Sequence, residues 1–156
     1  MFGNVIVPLD GSPLAENVLP YVDTVVRGCS TMVVVFLRVV EPAVYLSGDG
    51  KRDPLKWDVA ERMDARGKQE AQHYLAEVVG KAGYAGVDIR QVVLLGKPAD
   101  VICEFANNNG ADLIIMATHG RTGVKRLVWG SVAEKVLRFS CVPVLLIRPP
   151  GCAPGF

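Results

Sequence analysis

The sequence has no charge excess and no paired cysteine motif. Its 17 lysine and arginine residues nearly balance its 16 aspartate and glutamate residues, which argues against a broad basic field for nucleic acid and against an acidic tail. The cysteines form no C-x-x-C pair, so neither a zinc knuckle nor a thioredoxin-type redox motif is present. They are Cys29, Cys103, Cys141 and Cys152. We therefore expect reduced thiols, and any anion site has to be local.

The apolar runs are too short to cross a bilayer. The longest cover residues 32–37 and 141–147, whereas a membrane-spanning helix needs about 20 residues. The first residues contain no basic stretch ahead of an apolar run, which a targeting segment would have. We therefore expect a cytoplasmic protein.

The best-known phosphate-binding and nucleophile motifs are also missing. No G-x-x-x-x-G-K-[ST] occurs, and no G-x-G-x-x-G follows the first predicted strand. The segment Asp10-Gly11-Ser12 lacks the second glycine of a hydrolase nucleophile elbow.

The sequence does contain a regular alternation of short β-branched runs and helical spacings. Its 156 residues, 50% of them hydrophobic, suffice for one domain with a substantial core. Several of the runs are continuously apolar, as in parallel strands that are covered on both faces. Strands are predicted at residues 4–9, 31–40, 87–95, 112–117 and 143–148. The pattern predicts β-α-β units, hence a parallel α/β fold.

Helices are predicted between these strands. The first begins with Ser12 as cap and Pro13 in its first turn, contains Pro20, which removes one hydrogen bond, and ends near Gly28. The second covers 59–83, the third 98–109, and the fourth starts near 131. Their predicted buried positions are Ala71, Tyr74, Leu75, Val78 and Ala82, then Val101, Ile102 and Phe105, then Ala133, Val136 and Leu137. Residues 41–57 are polar and predict a mobile surface loop.

The connection after the fourth strand, residues 117–131, is unusually long and rich in glycine and basic residues. Parallel strands place their carboxyl ends on one edge, where such sheets bind ligands. Glycines let a ligand approach the main chain, and the N–H groups at a helix start attract anions. The relevant residues are Gly120, Gly123, Gly130, Ser131, Arg121, Lys125 and Arg126. They indicate a polyphosphate cradle, although glycines that only make turns, beside solvated basic residues, would give the same composition.

These residues also carry a family resemblance. The nucleotide-binding universal stress proteins have G-x-x-G, nine residues, then G-[ST]; here Gly120, residues 121–129 and Gly130-Ser131 match, but Ala117 replaces the first glycine. The opening Pro-x-Asp-Gly-Ser at 8–12 and the closing Pro-Val-x-x-Ile at 143–147 match as well. Over nearly its whole length, the chain resembles the universal stress protein family.

The resemblance implies a Rossmann-like single domain over residues 1–149, followed by a short C-terminal tail, 150–156. Its five-stranded parallel sheet would have the order 3-2-1-4-5, with helices on both faces and strand one beside strand four. It would bind ATP, or ADP or AMP, with Mg²⁺, and with no metal ligand from the protein itself. The nucleotide-binding residues would be Pro8, Leu9 and Asp10 at the ribose and base, Val39 at the adenine, Met116 and Ala117 at the ribose, and Gly120, Arg121, Gly130, Ser131 and Val132 around the phosphates.

Individual residues have alternative interpretations. Asp10 could merely cap the first turn. His119, on a loop without an evident partner, is interpreted as incidental, and His73, within the second helix, as a surface residue. Because Ala117 ends a strand, we expect a negative φ there, and a methyl group then costs little. Nucleotide binding is therefore expected to survive the substitution.

The function that follows is a stress-response binding and signalling module. Hydrolysis needs a positioned base and metal-holding carboxylates, and beyond Asp10 the loop supplies none, so no catalytic residue is predicted and ATP turnover would at most be slow. A family member that binds no nucleotide and acts through protein contacts is the main alternative. Related pyrophosphatases and electron-transfer flavoproteins are less favoured, since the Ser-Gly-Gly-x-Asp-Ser motif of the former is missing.

The last predicted strand bears on oligomeric state. Residues 143–148 would form an apolar edge, which proteins usually cover or pair. The resemblance implies a homodimer through this strand, framed by Pro143 and Arg148. The alternative is a monomer whose tail covers the edge.

Overall fold

The computed structural model describes residues 2–43, 54–118 and 130–148. They form one five-stranded sheet in the order β3-β2-β1-β4-β5, with every neighbouring pair parallel. The strands are β1 (Asn4–Pro8), β2 (Val33–Val40), β3 (Asp88–Leu95), β4 (Leu113–Ala117) and β5 (Val144–Ile147). The helices are α1 (Leu19–Gly28), α2 (Pro54–Lys81), α3 (Pro98–Asn108) and α4 (Ser131–Phe139), with a 3₁₀ helix at Ala15–Val18. The predicted fold class and strand order are confirmed.

Helices cover both faces of the sheet, and each face has its own core. On one side, β1 and β2 residues such as Val7 and Phe36 pack with Leu75 and Val78 of α2 and with residues of α1. On the other, Ile6 and Leu37 are among the strand residues that pack with residues of α3 and α4. Because neighbouring side chains of a strand face opposite sides, β1 and β4 need apolar residues at nearly every position, as their sequences have.

The winding of the chain through the sheet reverses at the junction of β1 and β4. Val5 pairs with Leu113 and Ile6 with Ile114. Since β2 lies on the other side of β1, successive connections leave the sheet in opposite directions at this junction. The carboxyl ends of β1 and β4 therefore border the crevice in which open α/β sheets bind ligands.

The predicted cap of the first helix is confirmed, since Ser12 Oγ accepts the N–H of Ala15, but the helical segment starts as a 3₁₀ helix and not as an α-helix. Ser12 and Pro13 belong to a turn ahead of the 3₁₀ helix, and α1 begins only at Leu19, so Pro20 occupies its first turn. A proline there removes no intrahelical hydrogen bond, because the first N–H groups of a helix have no partner within it. Pro20 marks a helix start and not a bend inside a longer helix.

Two further predictions are corrected. The polar segment 41–57 was predicted to be a loop, but α2 begins at Pro54; residues 44–53 lie outside the described residues. Leu137 was predicted to point inward, but 46% of it is exposed, whereas Ala133 and Val136 of the same helix are buried. The stripe of α2 is confirmed, since Ala71, Leu75 and Val78 are buried and Tyr74 and Ala82 pack against the same core.

In the parts of the chain that the structure describes, no helix is long and apolar enough to cross a membrane. The predicted tail, 150–156, lies outside them, as does the middle of the glycine-rich connection, residues 119–129.

Candidate functional site

A cavity opens at the carboxyl edge of the sheet, between the ends of β1, β2 and β4 and the first turns of α3 and α4. Its volume is about 120 Å³, and the empty space reaches about 630 Å³ when the open mouth is included. Twelve residues line it: Pro8, Leu9, Asp10, Ala15, Leu37, Val39, Pro98, Ile102, Met116, Ala117, Val132 and Ala133. Eleven of them are apolar, and Asp10 is the single charged residue.

Most of the sequence-predicted site residues meet around this cavity. Those lining it are Pro8, Leu9, Asp10, Val39, Met116, Ala117 and Val132. Ser131 lines an adjoining cleft that shares Pro98 and Val132 with the cavity. Gly130 directly precedes α4, whereas Gly120 and Arg121 lie outside the described residues. The sequence thus identified the edge and three of the strands that build the site.

Asp10 follows β1 and organises the turn that leaves it. Its Oδ1 accepts hydrogen bonds from the Ser12 N–H at 2.9 Å and the Ser12 Oγ at 2.6 Å. Ser12 Oγ in turn accepts a bond from the N–H of Ala15, where the 3₁₀ helix begins. The alternative interpretation, that Asp10 stabilises the turn, is therefore correct. The same carboxylate also borders the cavity, so its role in the turn does not remove it from the site.

Ala117 has an ordinary strand conformation. It is the last residue of β4 and pairs with Ile147 of β5, and the next residue, Thr118, donates its N–H to the Ile147 carbonyl at 2.9 Å. Among the described residues, Ser30 alone has a positive φ without being glycine. The predicted negative φ at Ala117 is confirmed, and its methyl group costs no backbone strain.

The N-terminus of α4 faces the same edge. Its cap is Gly130, with φ 20° and ψ 135°, and no side chain of residues 2–43, 54–118 or 130–148 caps the helix. The Gly130 carbonyl accepts the N–H of Glu134 at 3.0 Å, so regular helical bonding starts here. The N–H groups of the first turn carry the positive end of the helix dipole, which favours an anion.

The adjoining cleft has mixed charge. It lies between α3 and α4 and is lined by Lys97 and Lys135 as well as by Glu41 and Asp100. The two lysines line the cleft together with Ser131, but the two acidic residues balance their charge. Side-chain charge alone therefore does not make this cleft a phosphate site.

Five lining residues were missed as site residues. They are Ala15, Leu37, Pro98, Ile102 and Ala133. Ile102 and Ala133 were predicted as core, which they also are. Pro98 could have been found, because a residue that opens the helix after β3 must lie at the carboxyl edge.

The site has few groups suited to chemistry. Within residues 2–43, 54–118 and 130–148, no three histidine, cysteine or acidic side chains converge as metal ligands would. His73, predicted to lie on the surface, does so, with its Nε2 3.3 Å from Glu77 Oε1. Burial, followed by the charge of Asp100 and the neighbouring Cys141, raises the pKa of the Cys103 thiol, so this thiol is less ionised than an ordinary one.

Comparison with known proteins extends these observations. The model of the universal stress protein family matches residues 1–148. Universal stress protein MJ0531 of Methanocaldococcus jannaschii is 32% identical over 151 residues, which cover 96% of this chain and 84% of that protein.

Two solved structures are similar in fold. The structure of hypothetical protein MJ0577, from the same organism, has a TM-score of 0.77 at 24% identity and covers 97% of this chain and 99% of its own. An Arabidopsis thaliana protein of the universal stress protein family, solved with AMP bound, has a TM-score of 0.61 at 19% identity and covers 95% of this chain and 92% of its own. The family match over almost the full length, together with the relative above 30% identity, means that the chain belongs to the universal stress protein family.

Proposed function

We propose that the cavity binds an adenine nucleotide, ATP in particular, and that the protein is a stress-response binding and signalling module. One observation carries the proposal: among the described residues, the cavity is lined by apolar groups and a single carboxylate and lies beside a helix N-terminus that none of their side chains caps. A nucleotide has the matching sequence of groups, an apolar base, a sugar with hydroxyl donors and an anionic end.

The apolar part of the cavity suits the base. Val39 lies at the end of β2, and Leu37 and Ile102 belong to the core beneath it. A purine ring buried among aliphatic groups gains from the removal of apolar surface from water. We assign the adenine to this region, with Pro8, Leu9 and the main chain at Val39 as contacts.

The carboxylate of Asp10 suits the ribose. A sugar hydroxyl donates well to an ionised carboxylate, and hydrogen bonds to charged groups are the stronger ones. Met116 and Ala117, which end β4 on the other side of the cavity, would border the same sugar.

The phosphates are assigned to the start of α4. Gly130, Ser131 and Val132 carry main-chain N–H groups at the positive end of the helix, and a phosphate there would receive their hydrogen bonds. Gly120 and Arg121, in the glycine-rich connection, would complete the cradle. Mg²⁺ would be held by phosphate oxygens, as is usual for this ion.

The relatives support the same ligand class. The Arabidopsis thaliana family member was solved with AMP bound. For this chain we extend the ligand to ATP because the basic residues Arg121, Lys125 and Arg126 of the connection can balance more than one phosphate.

We propose binding without efficient catalysis. Phosphoryl transfer depends on a positioned base and metal-bound phosphates, and Asp10, the charged residue of the cavity, already accepts two hydrogen bonds from Ser12. ATP hydrolysis would at most be slow. Cys29, Cys103 and Cys141 are free thiols, consistent with a cytoplasmic location.

We also propose a homodimer through β5. This strand lies at the edge of the sheet, and Leu145 on it is 37% exposed. An apolar edge strand is a ready template for another strand. Its twin in a second copy, with Pro143 and Arg148 framing the contact, would cover it.

Mass spectrometry of the purified protein tests the ligand. The protein is sprayed first under native conditions and then after gentle denaturation, with and without added ATP and magnesium. A mass increase equal to one nucleotide per chain, released on denaturation, supports the proposal. If added ATP with magnesium leaves the mass unchanged, the protein is a family member that acts without nucleotide.

A further inference from the structure

A polar cluster lies on the opposite face of the sheet from the cavity, at the same carboxyl edge. On β2, Val34 and Phe36 face the core of α1 and α2, whereas Val39 lines the cavity. Strand alternation therefore places Arg38 on the α2 side, where its Cζ lies 5.8 Å from the centre of the Tyr74 ring.

The guanidinium of Arg38 packs directly against the turn that carries Asp10. A methyl group added to Gly11 would lie 2.6 Å from Nη1, 3.1 Å from Cζ and 3.2 Å from Nη2 of Arg38. Gly11 also has a φ of 82°, which disfavours any side chain. Only a glycine lets the main chain of the turn rest on the guanidinium in this way.

The environment of Arg38 is costly. Its Nε and Nη1 are buried and have no hydrogen-bond partner among the described residues. A buried polar group without a partner destabilises the folded state, because it gives up its hydrogen bonds to water. Burial and the charge of Glu16 raise the pKa of Tyr74, with a smaller effect of Asp10, whereas Arg38 opposes them. The Arg38 guanidinium thus lies between the Tyr74 ring and Gly11, the residue that follows Asp10.

We propose that Arg38 is a positioning residue for Asp10: from the far face of the sheet it supports Gly11, so that the turn holds Asp10 at the cavity. A plain apolar side chain would fill the same space without the cost of burying a charge, so packing alone does not explain an arginine here. The consequence for nucleotide affinity rests on the proposed function, but the positioning of the turn does not.

The turn offers a direct readout. Asp10 Oδ1 accepts the N–H of Ser12 at 2.9 Å, so exchange of that amide hydrogen with solvent reports how firmly the turn is held. In Arg38→Met the apolar stem remains and the charge is lost. Exchange of the Ser12 amide is then expected to be roughly tenfold faster, within the range of couplings between neighbouring residues, and Arg38→Lys should restore part of the protection. Arg90→Met, at an exposed arginine of β3, is the matched control and should leave it unchanged.

A double-mutant cycle then links the turn to the ligand. ADP affinity is measured for the wild type, Arg38→Met, Asp10→Asn and the double variant. Both single variants should bind more weakly, and the double variant no more weakly than Asp10→Asn alone, because Arg38 acts through Asp10. Losses that multiply would show that Arg38 acts independently.

The two proposals fail in different ways. If the wild type binds none of ATP, ADP and AMP, nucleotide binding is wrong, and the Ser12 amide alone decides the role of Arg38. If the Ser12 amide exchanges equally in Arg38→Met and wild type, the positioning role is wrong even when ADP binds. Protection of the Ile114 amide, in the centre of the sheet, verifies that each variant is folded.

Discussion

Ala117 and Ile147 are the last paired residues of β4 and β5, and the ladder continues past them with a hydrogen bond from Thr118 to the Ile147 carbonyl. The residue that replaces the first glycine of the family motif is therefore held as ordinary strand. Ala117 lines the cavity, where it can touch a ligand, and its methyl group does not strain the backbone.

Changing Ala117 to glycine should leave nucleotide affinity similar or make it tighter. The strand conformation does not require glycine, and removal of one methyl group only adds room beside the ribose. Calorimetric titration with ATP would measure it. A large loss of affinity in Ala117→Gly would contradict the placement of the sugar next to this residue.

A carboxylate in the base region should abolish binding. Val39→Asp would put a charge where the adenine is proposed to lie. Binding would then leave the carboxylate buried and unpaired, or the carboxylate would keep the adenine out. We expect an affinity loss of at least about tenfold, the equivalent of 1.4 kcal/mol. Val59→Asp makes the same change at a residue that is 50% exposed on α2 and should bind normally. Equal binding by both variants would remove the base from this cavity.

The central strands should dominate stability. Ile114 is fully buried and is paired with β1 and β5, so Ile114→Ala should lower the free energy of unfolding by about 2–5 kcal/mol. Met32→Ala, at a residue that is 69% exposed, should change it by less than about 0.5 kcal/mol. Urea unfolding followed by circular dichroism measures both, and a comparable loss for the two would contradict the core described for this sheet.

Alkaline pH should destabilise the protein through Tyr74. Burial and Glu16 raise its pKa above the ordinary value of 10.0, so the unfolded chain loses this proton at a lower pH than the folded one. Stability from this group is complete below about pH 10 and falls as pH rises further. In Tyr74→Phe, the free energy of unfolding, measured by urea unfolding, should fall less steeply with pH between about pH 9 and 11 than it does in the wild type. Tyr21→Phe, at a tyrosine that is 49% exposed, is the control, and identical slopes for the two variants would contradict the assignment.

The β5 edge should control oligomeric state. Leu145→Lys places a charge on the exposed face of the strand, a change that discourages strand pairing. Light scattering at micromolar concentration should give a dimer for the wild type and a monomer for the variant. Met32→Lys, away from this edge, should remain dimeric, and a wild-type monomer would rule out the proposed interface.

The strands were predictable because their chemistry is local. All five appeared as apolar runs, and the observed ends differ from the predicted ones by at most two residues, as at Thr31 against Val33, which is the usual uncertainty of element ends. The strand order came from the family resemblance and not from periodicity, because alternation along a strand does not identify its neighbours.

The errors were in features that depend on the rest of the fold. Pro20 fits either a bent helix or a helix start, and only the packing of the 3₁₀ helix decides between them. Leu137 has a helical spacing compatible with burial, yet no described element covers enough of the side of α4 that carries Leu137 to bury it. The place of Ile102 at the cavity was missed for the same reason, since α3 reaches the cavity across the sheet and not along the chain.

The two described ends of the glycine-rich connection lie at the carboxyl edge of the sheet. Ala117 lines the cavity and Ser131 opens α4. The support of Asp10 by Arg38 was not predictable, because these residues are far apart in sequence and meet only through Gly11.

Isothermal titration of the wild-type protein with ATP, with and without magnesium, tests the central claim most directly. Binding of one nucleotide per chain, lost in Val39→Asp and retained in Val59→Asp, is the result that the proposed site predicts. The absence of saturable heat with ATP, ADP and AMP alike, at protein concentrations of tens of micromolar, would contradict it.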